Sequence, residues 1–120
     1  MGPVALDANV AIGLLEPTDV HHDRAVEALR ECGGAPLSMA ASAYSETLVR
    51  PLAKGHGAAV EAFIERLRVE VVPLDRAIAR RAAELRSQHD RLRLPDALVL
   101  ASAESRDARL LTFDERLAQL

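Results

Sequence analysis

Short apolar runs alternate along this chain with longer stretches in which apolar residues recur every three or four positions. Pro3 to Leu6 is one such run; it stops at Asp7 and predicts a buried first strand, central in its sheet. Val10 to Leu15 reads as a helix closed by Glu16-Pro17, because a residue before proline is pushed out of helical backbone. Thr18 or Asp19 suits the N-cap of a second helix. Val20, Ala25, Val26, Leu29 and Cys32 follow its spacing as far as Gly33-Gly34. Ala35 to Met39 predicts another strand. Ala40 to Ala53 predicts a helix with Ala41, Tyr44, Leu48 and Leu52 on one face, kinked or cut short at Pro51. After a break at Gly55-His56-Gly57, the stretch from Ala58 to Leu67 predicts a helix presenting Val60, Phe63, Ile64 and Leu67.

The second half continues the alternation. Val69 to Leu74 carries β-branched residues and predicts a third strand. Asp75 is placed to cap a helix from Arg76 to about His89, whose Arg76, Arg80, Arg81, Glu84 and Arg86 form a polar face. Arg91 to Leu94 reads as a loop, and Pro95 as the first residue of a helix that turns Leu98, Val99, Ala101 and Ser102 inward. Arg109 to Thr112 predicts a fourth strand, and Asp114 opens a last helix. The order β-α-α-β-α-α-β-α-α-β-α predicts an α/β fold. We expect a three-layer α/β/α sandwich with a parallel sheet of about four strands, right-handed crossovers, and one domain over residues 1–120.

Composition narrows what such a fold can do. Aromatic residues make up 2% of the 120 residues, which argues against a protein that stacks bases on aromatic platforms. The net charge of −3, without any Lys/Arg block, argues against binding nucleic acid by phosphate neutralisation alone; bound cations would have to correct the local charge. Cys32 is the single cysteine, so neither an internal disulfide nor a multi-cysteine zinc site is available, and a reduced cytoplasmic setting is expected. The N-terminus lacks the pattern of a signal peptide, and no apolar run reaches membrane-spanning length, so no membrane partner is expected.

The predicted layout places several acids together. Asp7 and Asp114 each follow a strand at its carboxyl end, where open parallel sheets bind ligands. Asp96 lies in the first turn of a helix starting on that side, and Glu46 about a turn and a half into the helix after the second strand. Carboxylates that converge repel one another and need protons or cations; hard divalent ions such as Mg²⁺ take oxygen ligands and keep several waters. Each acid also has an ordinary reading: Asp7 and Asp114 as helix caps, Asp96 as a helix-dipole partner, Glu46 as a solvated glutamate. His21-His22-Asp23 suggests solvent-facing or substrate-facing residues rather than a metal site. Arg91 and Arg93 are either solvated loop residues or phosphate contacts, and Ser42 and Ser45 offer at most helper roles near Glu46. Cys32 reads as a small buried residue.

Four stretches carry a family pattern in order: Leu6-Asp7-Ala8-Asn9-Val10, Ser42-Ala43-Tyr44-Ser45-Glu46-Thr47-Leu48, Leu94-Pro95-Asp96-Ala97 continuing to Ala103, and Ala108 to Asp114. In these the chain resembles a PIN domain, and most of all the VapC-type toxins of bacterial toxin–antitoxin pairs. The resemblance implies four metal ligands at Asp7, Glu46, Asp96 and Asp114, with Asp7 and Asp96 the principal ones, and polar helpers at Asn9 and Thr112. It further implies a Mg²⁺- or Mn²⁺-dependent endoribonuclease that acts on single-stranded or loop RNA such as tRNA or rRNA, leaving a 5′-phosphate and a 3′-hydroxyl. The expected partners are a second copy of the chain and a cognate antitoxin. Family members usually continue past the last helix into another strand, whereas this chain stops at Leu120. Competing expectations are an inactive PIN-like binding module and a DNA-directed nuclease. A phosphorylated receiver-like domain would need a late lysine, and the only lysine is Lys54.

Overall fold

The computed structural model describes residues 2–120, which form four strands and seven helices. The order is β1 (Val4–Leu6), α1 (Ala8–Leu15), α2 (His22–Glu31), β2 (Leu37–Ala40), α3 (Ala41–Ala53), α4 (Gly57–Leu67), β3 (Glu70–Val72), α5 (Arg76–Gln88), α6 (Leu94–Ser105), β4 (Arg109–Leu111) and α7 (Glu115–Ala118). All neighbouring strands are parallel, in the order β3-β2-β1-β4. The predicted α/β architecture is therefore the one observed, with β1 central as expected.

β1 is buried along its whole length, as a strand covered on both faces must be. One apolar cluster joins Val4, Leu6 and Met39 of the sheet to α1, α2, α3 and α4. A second joins Val72 to Ile78, Ala82 and Leu85 of α5, to Ala97 and Ala101 of α6, and to Leu117. Val71 and Val72 are neighbours on β3 and pack into different clusters, because successive side chains of a strand point to opposite faces. The two clusters are the two helix layers of the sandwich.

Several local expectations need correction. Neither Thr18 nor Asp19 caps α2; that helix starts at His22, and the Asp19 carboxylate accepts from the His21 N–H at 2.9 Å, which shapes the turn before it. Val20 lies outside the helix and is 89% exposed. The buried face of α3 is Ala43 and Thr47, while Leu52 is exposed. A polar residue is tolerated there because the Thr47 hydroxyl donates to the Ala43 carbonyl at 2.7 Å. Helix α3 runs on through Pro51 to Ala53, with the proline in its last turn. Among the described residues no strand follows α7.

Helix α1 approaches α2 closely at Gly13. A Cβ placed there would lie 3.1 Å from the Ala25 Cβ and 3.4 Å from the His21 carbonyl oxygen. The His22 ring nitrogen Nδ1 hydrogen bonds with the Gly13 carbonyl at 2.7 Å, so His22 serves this packing rather than solvent. Cys32 is buried and its thiol donates to the Ala28 carbonyl, as its small apolar character predicts.

Candidate active site

From β1 the chain proceeds outward through β2 to β3, then returns to place β4 on the other side of β1. Loops leaving β1 and β4 must therefore diverge, and such a reversal opens a crevice beyond the carboxyl ends of the strands. Asp7 follows β1 directly, and Thr112, Phe113 and Asp114 follow β4. The Asp7 N–H donates to the Leu111 carbonyl at 3.0 Å, so the sheet stays paired up to the edge of the crevice.

Asp7 is held from both sides. Its backbone is extended, and its Oδ1 accepts from the Ala8 N–H at 2.8 Å, which caps α1. Its Oδ2 accepts from the Thr112 hydroxyl at 2.7 Å. The Thr112 Oγ1 in turn accepts from Asn9 Nδ2 at 3.3 Å and from the Asp114 N–H at 3.1 Å. Asn9 Oδ1 accepts from the Phe113 N–H at 3.2 Å. Asn9 and Thr112 thus join the loop after β4 to the start of α1, and both fix the position of Asp7. A hydroxyl with one proton and two lone pairs suits such a node, since it donates to the carboxylate and accepts twice.

Asp114 fulfils its ordinary role: Oδ1 accepts from the Arg116 and Leu117 N–H groups at 3.0 and 3.2 Å and caps α7. Among the described residues its Oδ2 makes no hydrogen bond, so one oxygen stays available. Glu46 comes from the second turn of α3, and Asp96 from the first turn of α6 behind Pro95. Asp96 Oδ2 stands 3.8 Å from Arg93 Nε.

The electrostatics link the acids in pairs, Glu46 with Asp7 and Asp96, and Asp96 with Asp7 and Asp114. Loss of surrounding water raises the Glu46 carboxyl above its ordinary value, the charges of Asp7 and Asp96 raise it further, and Arg93 pulls it down. The Asp96 carboxyl is raised by burial, lowered by Arg93, raised by Asp7 and Asp114, and lowered by Arg116. Helices from different parts of the chain therefore bring Glu46 and Asp96 near Asp7, and Asp96 near Asp114, while Glu46 also lines a separate small recess with Ile12, Leu15 and Arg50. The Asp96 side chain is 27% exposed, so a ligand can reach it.

This donor set consists of oxygens alone, which suits a hard divalent cation. Among the described residues no group of three or more Asp, Glu, His or Cys side chains stands placed to hold a metal ion. An ion that keeps several of its own waters fits such an open set, and a fully caged one does not. Burial first, and the neighbouring carboxylates after it, raise Glu46 and Asp96, and a bound cation would offset both.

Groups beyond the acids also reach the crevice. Arg93 and Arg116 supply the positive charge felt by Asp96. The sequence pattern does not single out Arg116, although its place two residues after Asp114 in a capped turn carries that signal. The Phe113 ring packs against His21, with centroids 5.1 Å apart, and the Arg24 guanidinium lies 4.4 Å from the ring centroid. His21 therefore braces the loop after β4 and is not an isolated surface group. Among the described residues the buried Ser42 hydroxyl has no hydrogen-bond partner, whereas Ser45 is exposed.

Comparison with known proteins agrees with this architecture. The sequence profile of the PIN domain matches residues 4–120. No curated protein sequence matches the chain. Among solved structures, the fold is similar to that of VapC20 from Mycobacterium tuberculosis, a toxin that cleaves the sarcin–ricin loop. The TM-score is 0.78 at 20% identity, over 97% of this chain and 93% of that one. A toxin–antitoxin complex from Klebsiella pneumoniae aligns with a TM-score of 0.75 at 22% identity, over 94% of this chain and 88% of that one. VapBC2 from Rickettsia felis, bound to a DNA fragment from its promoter, aligns with a TM-score of 0.76 at 15% identity, over 98% and 92% of the two chains. At these identities the structural likeness concerns the fold. The profile match runs from the first strand to the last residue, over the same elements that carry the acids, and the chain belongs to the PIN domain family.

Proposed function

We propose that this protein is a Mg²⁺- or Mn²⁺-dependent endoribonuclease, the toxin of a type II toxin–antitoxin pair, built as one domain over residues 1–120. The reading is supported by the nearness of Glu46 to Asp7 and Asp96, and of Asp96 to Asp7 and Asp114, with Asp7 and Asp114 following the adjacent strands β1 and β4. Membership of the PIN domain family supports nuclease chemistry. Similarity in fold to a toxin that cleaves the sarcin–ricin loop supports RNA as the substrate, with rRNA or tRNA as its class.

Asp7 and Asp96 are the principal metal ligands in this reading, with Glu46 and Asp114 completing the set. The bound cation would supply Lewis-acid stabilisation of charge developing on the phosphate and a water of lowered pKa. Thr112 and Asn9 keep Asp7 from turning away, because its Oδ2 is tied across the crevice. Glu46 helps to hold the metal or orients the attacking water. Water attacks phosphorus, the bond from phosphorus to the 3′ oxygen breaks, and the products carry a 5′-phosphate and a 3′-hydroxyl. Asp114 contributes its free Oδ2 and, through its cap, sets the start of α7. Arg93 keeps positive charge beside Asp96 and Glu46, so a phosphodiester meets a site that is less acidic than its carboxylates alone would make it.

A cognate antitoxin and a homodimer complete the reading; the toxin–antitoxin complexes among the similar folds support the first. Among the described residues no helix is long and apolar enough to cross a membrane, and we assign the protein to the cytoplasm. The test is cleavage of a random single-stranded RNA pool with Mg²⁺ or Mn²⁺, with EDTA, and with Asp96→Asn, beside single-stranded DNA. We expect cleavage of RNA that EDTA and the substitution both abolish. Cleavage indifferent to both overturns the mechanism, and metal binding without cleavage of any RNA leaves a binding module.

A further inference from the structure

Beside the acids opens a cleft of about 350 Å³, within the range of small-ligand sites. Asp96 and Asp114 belong to its lining, so it is continuous with the proposed reaction centre. Its apolar part is Leu92 and Leu117, both buried, with the exposed Leu120 beside them. Arg91, from the loop before α6, and Arg116, from α7, bring two guanidinium groups to it. Among the described residues neither arginine makes an ion pair, whereas Arg30, Arg80, Arg81, Arg93 and Arg106 each have an acidic partner. His89 and Asp90 complete the lining.

An apolar recess, two unpaired guanidinium groups and a neighbouring cluster of phosphate-directed acids match one kind of occupant. A nucleotide joins a flat, largely apolar base to a phosphate, and single-stranded RNA can splay a base out of its stack. Guanidinium groups pair with phosphate, and the apolar recess offers a base the surface that a chain poor in aromatic residues does not supply by stacking. We propose that this cleft is the seat of the nucleotide adjoining the scissile phosphate, with the base between Leu92, Leu117 and Leu120 and its phosphate toward Arg91 and Arg116. This rests on the nuclease reading above and adds to it a residue set that selects where the strand is cut.

The test uses the full chain and single-stranded oligoribonucleotides recovered as substrates from a random pool. Each is resynthesised with an abasic ribonucleotide at successive positions around the cut. Leu120→Trp fills the cleft at an exposed position, and Arg91→Glu reverses one charge. Binding is followed by fluorescence anisotropy in parallel with cleavage. Loss of the base at one position next to the cut should lower kcat/KM about tenfold or more, while distant positions have little effect. Leu120→Trp should lower kcat/KM on the intact strand and abolish the sensitivity to that base, and Arg91→Glu should weaken binding. Cleavage by wild type with no privileged abasic position, or with the same profile in Leu120→Trp, overturns the subsite and leaves the nuclease intact. No cleavage of any RNA in the pool removes the nuclease reading, and the subsite falls with it. Variants that release a co-expressed protein partner while RNA binding stays unchanged assign the cleft to protein and overturn the proposal.

Discussion

The Thr112 hydroxyl donates to Asp7 Oδ2 at 2.7 Å across 105 residues of chain, and this bond closes the crevice between β1 and β4. Thr112→Val keeps the shape of the side chain and removes the bond. It leaves an Asp7 oxygen and the Asp114 N–H without their partner. We expect a loss of about 10- to 100-fold in metal affinity or cleavage rate, and roughly 1 kcal/mol in stability. Thr112→Ser should recover most of both. Cleavage assays and thermal melts of the pair decide it, and equal activity in Val and Ser would show that the hydroxyl has no positioning role.

Acid titration gives a second prediction. Glu46 and Asp96 hold their protons more tightly when folded than their ordinary values of 4.5 and 3.8 imply. In the window above those values the folded chain carries more protons than the unfolded one, so this contribution to stability falls as pH rises. The penalty is absent below the ordinary values and complete above the raised ones. In metal-free buffer at neutral pH, Glu46→Gln and Asp96→Asn should therefore melt above wild type, and the gain should vanish in acid. Millimolar Mg²⁺ should raise the wild-type Tm more than that of Asp96→Asn. A gain that persists unchanged into acid would assign it to something other than the carboxylate charge.

Arg93 lies beside Asp96 and also lowers the Glu46 carboxyl. Arg93→Ala should leave those two acids more strongly repelled and should weaken RNA binding. If the arginine meets a phosphate, the slope of log affinity against log salt should shrink by about 0.7. A salt titration of oligoribonucleotide binding to the variant and wild type measures this directly. An unchanged slope would confine Arg93 to tuning the acids.

The close approach at Gly13 predicts a purely structural effect. Gly13→Val would push branched carbons toward the Ala25 Cβ and the His21 carbonyl. Overpacking of this kind costs about 1–3 kcal/mol. Because His21 also packs on Phe113, the displacement should reach the loop that carries Thr112 and Asp114. Urea denaturation should show the lost stability, and cleavage should fall with it; a variant as stable as wild type would mean that α2 moves away freely.

Legibility in the sequence differed from element to element. The Asp75 cap of α5 is visible because the carboxylate and the Ile78 N–H that it accepts from are three residues apart. The face of α3 was legible only in part: Tyr44 packs half-buried against the core as its stripe predicts, but Leu52 is exposed and the fully buried residues are Ala43 and Thr47. Small residues win there because α3 lies close against α1 and the sheet, and nothing in its own periodicity reports that spacing. Asp19 offered the chemistry of a cap, but its carboxylate was taken by the His21 N–H before the helix began.

Local sequence determined which stretches become strands and helices, and it determined that Asp7, Asp96 and Asp114 sit at their ends. Burial periodicity, capping chemistry and proline stops act over a few residues, so they can be read along the chain. Only the tertiary structure decided that β4 lies beside β1 and not beyond β3. An unpaired strand edge carries no label for its partner, and the choice follows from how both helix layers cover the sheet. That choice sets Thr112 against Asp7 and places Asp114 near Asp96.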